Sequence, residues 1–577
     1  MKRRAAQADT AAARSFRWRS SLVLGLVLVC AAGLSVRALE LQWLDHGFLA
    51  KQGDDRTMRV AKIVAHRGAI TDRNGEPLAL STPVDTVWVN PQELNDNIDQ
   101  VPRLAKALRQ EPQVLLRRVT SNLDREFLYL ARHMPPEAAA RVKGLGIPGV
   151  YLLREYRRYY PAGEVSGHIV GFTNLDDQGQ EGLELGYDQL LDGENGAKRV
   201  IQDLYGRSVQ NVESIRAPRP GRDLTTSIDL RIQYLAYREL KAAMAEYRAR
   251  SGSVVVIDVD TGEVLAMVNQ PSFNPNDRDQ LQVGLYRNRA ATDILEPGSS
   301  IKPFVIAAAL ESGQFHTDSV IDTAPGFLKV GNKVFDDEHP LGSVDIATIL
   351  AKSSNVGMLK IALSLKPEQI WHTLTALGFG QVTGGGFPGE SAGMLSHYSH
   401  WRPIGIATLS HGYGLSVTPL QLAHAYATVG AGGVARPISF ERVTGPVAGQ
   451  QVISRNVARS LVQLMEAVVT AEGATGWRAA VVGYRVSGKT GTAFKSNAGG
   501  YSTDKYMAVF GGVVPATRPK LAAVVVIDEP SGGLHHGGDV AAPVFSNVMT
   551  GALRLMDVPP DDLQNVPATT LVQSNAP

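Results

Sequence analysis

Three short strings in the second half of the chain contain the functional groups that serine acyl transfer requires. They are Ser299-Ser300-Ile301-Lys302, Ser353-Ser354-Asn355 and Lys489-Thr490-Gly491-Thr492. A serine hydroxyl becomes a good nucleophile only when a neighbouring base takes its proton. Residues three apart lie on the same face of a helix, so Lys302 is placed to be the base for Ser299. Together the strings predict an enzyme that forms an acyl-serine intermediate.

Sequence context separates Ser299 from a second Ser-x-x-Lys string at Ser502–Lys505. Ser299 follows a Glu-Pro-Gly turn and precedes an apolar helical run at 304–310, which places its hydroxyl at the start of a buried helix. Ser502 lies in the polar stretch 495–505, which is typical of a mobile loop. The alternative is that the strings coincide by chance and that Ser299 only caps its helix.

The other polar groups of the strings fit roles around this nucleophile. Lys302 must be neutral to accept a proton, although the reference pKa of lysine is about 10.4. Burial and the nearby charge of Lys489 would both lower that pKa. Ser353 and Asn355 can hold the lysine and pass a proton to the leaving group. Ser299, Lys302, Ser353 and Asn355 are therefore the predicted catalytic residues, and Lys489 is predicted to bind substrate.

The third string has the character of a sheet edge that binds substrate. Gly491 would let substrate approach the backbone closely, and Lys489 with the hydroxyls of Thr490 and Thr492 can bind a carboxylate. The backbone N–H groups of Ser299 and Thr492 would form the oxyanion hole. Such a site suits acyl transfer on a peptide that ends in a free carboxylate, and it requires no metal or organic cofactor.

The elements around the strings predict an α+β fold. Helical periodicity covers 229–247, and 253–259 with 264–269 form a hairpin. Strand patterns follow at 506–514 and 521–527, and a closing helix is predicted over 541–556. A hairpin, a helical middle, then strands and a helix indicate helices packed on an antiparallel sheet.

The N-terminus predicts a single membrane anchor. The first nineteen residues have a net charge of +5, and 20–36 contain no charged residue. Basic residues before an apolar span place the N-terminus in the cytoplasm. A cleaved signal peptide is the alternative, but its apolar core would be shorter.

Cys30 lies within the span and is the only cysteine, so no intramolecular disulfide can form. Nothing in the charge pattern indicates nucleic-acid binding.

Composition changes divide the chain into five predicted segments. We expect a cytoplasmic basic tail at 1–19, the transmembrane anchor at 20–41 and a pedestal domain at 42–220. The boundary near 216–221 is rich in proline and glycine. A catalytic domain then covers 221–557, and 558–577 has the composition of a disordered tail.

The chain resembles the class B penicillin-binding proteins, and within them the division-specific branch. Besides the three strings, the resemblance includes Arg67-Gly68, Tyr160-Pro161-Ala162-Gly163, Glu181-Gly182-Leu183-Glu184 and the Gly-Tyr-Gly-Leu-Ser-Val-Thr-Pro run at 412–419. It implies a D,D-transpeptidase with a pedestal and a transpeptidase domain, in which an antiparallel sheet has helices on both faces and a helical subdomain. It implies acylation of Ser299 by peptidoglycan stem peptides or β-lactams, in the periplasm at the inner membrane. A septal glycan polymerase and other division proteins are the implied partners, and Tyr506 an implied substrate-binding residue.

His535 and His536 depart from the family pattern. The resemblance implies an aromatic pair just before a Gly-Gly, whereas this chain has two histidines there. They are either solvated loop residues or part of the wall of the acyl side-chain pocket. In the second case the site would bind bulky β-lactams less well and would be sensitive to pH.

Other functions are compatible with parts of this pattern. A β-lactamase could use the same strings, but the Glu-x-x-Leu-Asn segment of class A enzymes is absent between Asn355 and Lys489. A membrane β-lactam sensor would need further spans or a cytoplasmic effector domain. A catalytically idle scaffold for cell-wall assembly remains open, although the nucleophile and its lysine are intact.

Overall fold

A computed structural model describes residues 2–202, 208–277, 279, 282–497 and 500–565. The chain forms two compact units and passes between them several times. The first unit contains Met1–Ala65, Val84–Glu155 and Glu194–Arg219. The second contains His66–Pro83, Tyr156–Gly193 and Pro220–Pro577.

The α-helices, in chain order, are α1 (Lys2–Leu39), α2 (His46–Thr57), α3 (Pro91–Asn95), α4 (Val101–Leu108), α5 (Pro112–Thr120), α6 (Pro136–Lys143), α7 (Gly167–Val170), α8 (Gly182–Gly186), α9 (Asp188–Leu191), α10 (Leu230–Glu246), α11 (Val283–Tyr286), α12 (Arg289–Thr292), α13 (Lys302–Glu311), α14 (Ile346–Ala351), α15 (Asn355–Ser364), α16 (Pro367–Ala376), α17 (Pro403–Leu409), α18 (Pro419–Gly430), α19 (Arg455–Thr470), α20 (Gly537–Val540) and α21 (Ala542–Leu555).

The β-strands are β1 (Met58–Ile63), β2 (Ile70–Thr71), β3 (Pro77–Val89), β4 (Leu128–Met134), β5 (Val150–Tyr159), β6 (Gly196–Gln202), β7 (Ser208–Arg216), β8 (Leu224–Thr225), β9 (Ser251–Asp258), β10 (Val264–Gln270), β11 (Val320–Asp322), β12 (Phe327–Val330), β13 (Lys333–Asp336), β14 (Ser343–Asp345), β15 (Val434–Ala435), β16 (Gln450–Gln451), β17 (Ser487–Asn497), β18 (Gly500–Val514) and β19 (Leu521–Asp528).

The first unit begins with the apolar helix that the sequence predicts. Trp18–Leu44 is long and apolar enough to cross a membrane, and none of its most apolar window is buried against the rest of the protein. The helix is α-helical to Leu39 and continues as a π-helix over Glu40–Leu44. Cys30 is exposed on this helix. An exposed apolar surface of this length is satisfied by lipid rather than by water.

The rest of the first unit has its own sheet and core. β6 pairs antiparallel with both β1 and β7, and the end of β3 pairs antiparallel with β4. Leu94, Leu104 and Leu115 on the short helices pack with Val87 and Leu130 of the strands. Burial of these side chains holds the small elements together, because none is long enough to be stable alone.

The second unit is built on a five-stranded antiparallel sheet with the order β10-β9-β19-β18-β17. Val254 and Val256 of β9 pack with α10 and α21 on one face, whereas Val255 and Ile257 pack on the other face with Tyr426 of α18. Successive side chains of a strand point to opposite faces, so a strand covered on both sides must be apolar throughout. This arrangement confirms the predicted α+β fold with helices on both faces of the sheet.

Two predictions for the second unit are wrong. Ser502 lies on a strand rather than in a loop, because β17 and β18 extend beyond the body of the sheet to Asn497 and Gly500. Val558 to Asn565 is ordered rather than disordered: the Val558 carbonyl accepts a hydrogen bond from Tyr484, and Asp561 accepts one from the Arg485 backbone N–H at 2.8 Å. The remainder of the predicted tail, 566–577, lies outside the described residues.

A buried ion network explains why parts of the predicted pedestal belong to the second unit. Glu184 is fully buried and accepts hydrogen bonds at 2.6 Å from the Nε atoms of both Arg67 and Arg158. Arg67 also pairs with Asp188 at 2.7 Å. The network joins 66–83 to 156–193, two segments far apart in sequence. The five ranges predicted from the sequence stay predictions of where the domains begin and end.

Replacing Glu184 by Gln should destabilise the second unit strongly. The amide would leave two buried guanidinium groups without their shared carboxylate, which costs about 3–5 kcal/mol. Urea unfolding of the full chain in detergent measures the change. Glu368→Gln is the matched control, because Glu368 is 53% exposed and should change the free energy of unfolding by less than about 0.5 kcal/mol. Equal stabilities of the two variants would contradict the importance of the network.

Candidate active site

Ser299 lies at the entry to a buried helix. A 3₁₀ turn over Gly298–Ile301 leads directly into α13, and Lys302 is the first residue of that helix. The Ser299 residue is half-buried, whereas Lys302 is fully buried. The run 304–309 is buried in the core, which fixes the start of the helix and therefore the serine.

Glycines allow three backbone segments to meet at this turn. A Cβ atom on Gly491 would lie 2.6 Å from the carbonyl oxygen of Pro297, and one on Gly412 would lie 1.9 Å from that of Gly298. Gly298 itself has a φ of +54°. The space where a Cβ of Gly491 would lie is thus occupied by the Ser299 turn, and the approach of substrate to the Gly491 backbone stays a prediction.

The amine of Lys302 is surrounded by the second string. Its Nζ contacts the carbonyl oxygen of Ser353 at 2.6 Å, the Ser353 Oγ at 3.2 Å, the carbonyl oxygen of Ser354 at 3.2 Å and the Asn355 Oδ1 at 2.9 Å. Burial lowers the pKa of Lys302 to about 7, against an opposing effect of the Asp337 carboxylate. Lys302 can therefore exchange a proton near neutral pH.

Lys489 approaches the same serine from the sheet. Its Nζ contacts the Ser353 Oγ at 3.1 Å and the Thr490 Oγ1 at 3.1 Å, and it is fully buried. Burial, together with the charge of Lys302, holds the pKa of Lys489 well below its usual range. The Thr490 hydroxyl donates to Thr475 at 2.9 Å. The hydroxyl of Ser353 thus lies between two amines, which is the geometry of a proton relay.

Asp337 positions the second string and was not predicted from the sequence. Its carboxylate accepts hydrogen bonds from the Ser354 hydroxyl at 2.7 Å and from the backbone N–H groups of Asn355 at 2.5 Å and Val356 at 3.0 Å. These N–H groups belong to the start of α15, where a carboxylate is favourable. Only the acidic run 336–338 could have drawn attention to it, and such runs are usually on the surface.

His411 was also missed. Its imidazole is buried, and burial together with the charge of Lys302 lowers its pKa to about 3. It packs edge-on against Phe335 at 5.3 Å between ring centroids. A neutral imidazole at this position adds no charge that would compete with protonation of the lysine. Nothing in the Ser-His-Gly sequence at 410–412 distinguishes it from a loop histidine.

The predicted histidine pair belongs to a row of rings beside the site. Tyr506 stacks on His535 with 4.0 Å between centroids and contacts Phe494 at 5.0 Å on the other side. His535 contacts His536 at 4.3 Å, and His536 lines the cleft that contains Ser299. Burial, and then the charge of His536, lower the pKa of His535. His536 is exposed, whereas Tyr506 and His535 support it from behind.

Ser299 and residues of the second and third strings line one cleft of about 570 Å³, whereas Tyr506 and His535 line a neighbouring cavity. Its lining residues are Ser299, Asp337, Glu338, His339, Leu341, Lys352, Ser353, Ser354, Asn355, Gly473, Ala474, Thr475, Trp477, Thr490, Thr492, His536, Gly538 and Asp539. The Thr492 Oγ1 accepts a hydrogen bond from the backbone N–H of Gly537 at 3.1 Å and keeps its own proton to donate. The roles of the predicted residues, and the oxyanion hole, stay predictions.

Similarity to known proteins covers nearly the whole chain. Residues 62–226 match the penicillin-binding protein dimerisation domain, and 252–550 match the penicillin-binding protein transpeptidase domain. The chain is 42% identical to peptidoglycan D,D-transpeptidase FtsI of Escherichia coli K12, over 95% of this chain and 93% of that protein.

Solved structures agree with this similarity. The transpeptidase domain of Burkholderia pseudomallei penicillin-binding protein 3 is 40% identical, covers 58% of this chain and 97% of its own, and has a TM-score of 0.54. Penicillin-binding protein 3 of Mycobacterium tuberculosis, solved with aztreonam, is 27% identical, covers 87% of this chain and 98% of its own, and has a TM-score of 0.67. Because the chain matches both domain models in this order and is 42% identical to FtsI over 95% of its length, it belongs to the class B penicillin-binding proteins.

Proposed function

We propose that this chain is a peptidoglycan D,D-transpeptidase that forms peptide cross-links at the division septum through an acyl-enzyme on Ser299. The observation that carries the proposal is the convergence of the buried Lys302 and Lys489 amines on Ser353 in the cleft that Ser299 lines. The similarity to FtsI supports the substrate class and the place in division. The Trp18–Leu44 helix supports a single-pass anchor, with the N-terminus in the cytoplasm and the cleft in the periplasm.

The proposed acylation uses these groups in turn. Neutral Lys302 takes the proton of the Ser299 hydroxyl, and the oxygen attacks the carbonyl carbon of the penultimate D-alanine. The C–N bond to the terminal D-alanine breaks, and the leaving nitrogen receives a proton through the Ser353 hydroxyl. The backbone N–H groups of Ser299 and Thr492 stabilise the negative charge on the carbonyl oxygen.

Substrate binding and the second half-reaction use the sheet side of the cleft. The terminal carboxylate meets Lys489 and the hydroxyls of Thr490 and Thr492, and its charge favours the protonated form of Lys489. After D-alanine leaves, an amine on a neighbouring stem attacks the ester, loses a proton to Lys302 and releases Ser299. A β-lactam enters the same sequence but keeps its leaving nitrogen attached. A septal glycan polymerase and other division proteins are the expected partners.

Incubation of the full chain with penicillin in detergent should give a lasting adduct on Ser299. Ser299→Ala should reduce the adduct by at least about a thousandfold, because the remaining groups bind but cannot form the ester. Ser502→Ala is the matched control, since Ser502 also precedes a lysine by three positions and should not affect labelling. Intact-mass and peptide-mapping spectrometry measure the result. Penicillin consumed without a lasting adduct would instead indicate a β-lactamase, and penicillin left untouched by a folded chain would favour the idle scaffold.

The rate of acylation should depend on the protonation of Lys302. Only the neutral amine accepts the serine proton, so the second-order rate constant should rise with pH through about 7 and level off above it. Asp337→Asn removes a carboxylate that favours the charged amine, so the midpoint should move to lower pH. Stopped-flow labelling with a chromogenic cephalosporin measures both profiles.

The neighbouring Asp336 provides the control for this pH shift. Its side chain is exposed and only its backbone carbonyl contacts Asn355, so Asp336→Asn should keep the original midpoint. Lys302→Arg should abolish acylation, because guanidinium does not lose its proton in this range. A flat profile between pH 5 and 9, or equal shifts in the two aspartate variants, would contradict the role of Lys302 as base.

His536→Phe should favour bulky substrates. An aromatic wall contributes about 0.5–1.5 kcal/mol through ring contacts, which corresponds to about a 2–10-fold faster acylation by an aryl-bearing penicillin relative to a small one. His397→Phe, at an exposed site outside the cleft lining, should leave the ratio unchanged. If a His535→Tyr, His536→Phe variant has the same pH profile as the wild type, the histidines do not make the site pH-sensitive.

A further inference from the structure

A second cavity in the second unit is lined by arginines and shares no lining residue with the Ser299 cleft. Its volume is about 470 Å³. It lies between the end of α18, the start of α19 and the turn between β18 and β19. The arginines that line it are Arg436, Arg455, Arg459, Arg485 and Arg518. We call this feature the arginine cavity.

Most of the positive charge in the arginine cavity is not neutralised by the protein. The two carboxylates among its lining residues are already engaged, Asp260 with Lys520 and Glu466 with Arg485. Asp561, nearby, accepts hydrogen bonds from the Arg485 backbone and from Thr517. Within the described part of the chain, the other four arginines form no ion pair. Like charges held together without counter-charges repel one another, so the cavity favours an anion.

The start of α19 adds to this potential. Arg455 and Arg459 are one turn apart, and the first turn itself contains no acidic residue. The carboxylate that the described structure places at this end of the helix is that of Glu311, which accepts a hydrogen bond from the backbone N–H of Ser454 at 2.5 Å. The N-terminus of a helix carries partial positive charge, and like charges at i and i+4 are unfavourable, so both placements cost stability without an anion. The Ser454 side chain caps only the backbone N–H of Val457. An anion in the cavity would make the same two arginines stabilising.

Arg436 provides an observation independent of the helix. Its Nη1 donates to the carbonyl oxygen of Val259 at 3.2 Å, whereas its Nε is buried and has no hydrogen-bond partner in the described structure. A buried donor without an acceptor is costly, and a charged one more so. Arg436 is among the residues that line the cavity, so an anion bound there would lie beside a charged group whose hydrogen bonds are incomplete.

We propose that the arginine cavity is a binding site for a phosphoryl anion of the diphosphate class. Guanidinium groups match the oxygen pairs of phosphate with two parallel hydrogen bonds. Four unneutralised arginines favour a multivalent anion over a single carboxylate. The volume is large for orthophosphate alone and falls within the range of small-ligand sites. The site is separate from transpeptidation and does not depend on the function proposed for Ser299.

Calorimetric titration of the full chain in detergent with inorganic pyrophosphate, at constant ionic strength, tests the proposal. The wild type should bind at one site, and an Arg455→Gln, Arg459→Gln variant should bind at least about tenfold more weakly, since each lost charge-assisted bond is worth more than 1.4 kcal/mol. An Arg402→Gln, Arg442→Gln variant is the matched control. It removes the same charge from exposed positions outside the cavity and should bind as the wild type does.

The outcomes separate specific binding from a general effect of charge. Each variant must first show a cooperative thermal transition without ligand, which establishes its fold independently of any activity. No binding by the wild type, or equal binding by both double variants, would overturn the proposal. A titration with citrate tests whether the site instead prefers carboxylates. Binding of citrate without binding of pyrophosphate would overturn the assignment to a phosphoryl group.

Discussion

The active site depends on keeping the amine of Lys302 out of water. A fully buried ammonium loses its hydration, and the Ser353, Ser354 and Asn355 oxygens replace only part of it. The balance brings the pKa of Lys302 to about 7, where the amine can act as a base and still be held by its neighbours. The second and third strings are arranged around this amine. Each contributes atoms within hydrogen-bond distance of the amine or of Ser353.

Lys302 can be buried because glycines let the neighbouring backbone segments approach one another closely. Gly298, Gly412 and Gly491 stand where a single methyl group would collide with a carbonyl oxygen or come within van der Waals range of it. With side chains there, the Ser299 turn and β17 would separate, and water would reach the lysine. The five-stranded sheet then provides rigidity, because its strands are packed on both faces and α13 is enclosed in the same core.

Two other groups of charged residues in the second unit differ in how completely their charges are paired. At Glu184 two buried arginines share one fully buried carboxylate and Arg67 also pairs with the partly exposed Asp188, so the network stabilises one arrangement of distant segments. In the arginine cavity the charges are largely unbalanced and more accessible. The paired charges at Glu184 are typical of a structural network, whereas the unpaired charges of the arginine cavity are typical of a ligand-binding site.

The amino-acid sequence alone was enough to predict that the three strings form one site, that the N-terminus forms a long apolar helix, and that α10, α13, α21 and the strands β9, β10, β18 and β19 are present. These helices and strands depend on residues within a few positions of one another: Asp229 caps the helix predicted to follow it, and the predicted hairpin forms at β9 and β10. The tertiary structure alone decided that Asp337 holds the second string and that the Cβ side of Gly491 packs against the Ser299 turn. It also decided that Tyr506 and His535 support His536, and that Glu184 joins Arg67 to Arg158. Each of these depends on atoms brought within a few ångströms from far apart along the chain, and local periodicity contains no information about such distances.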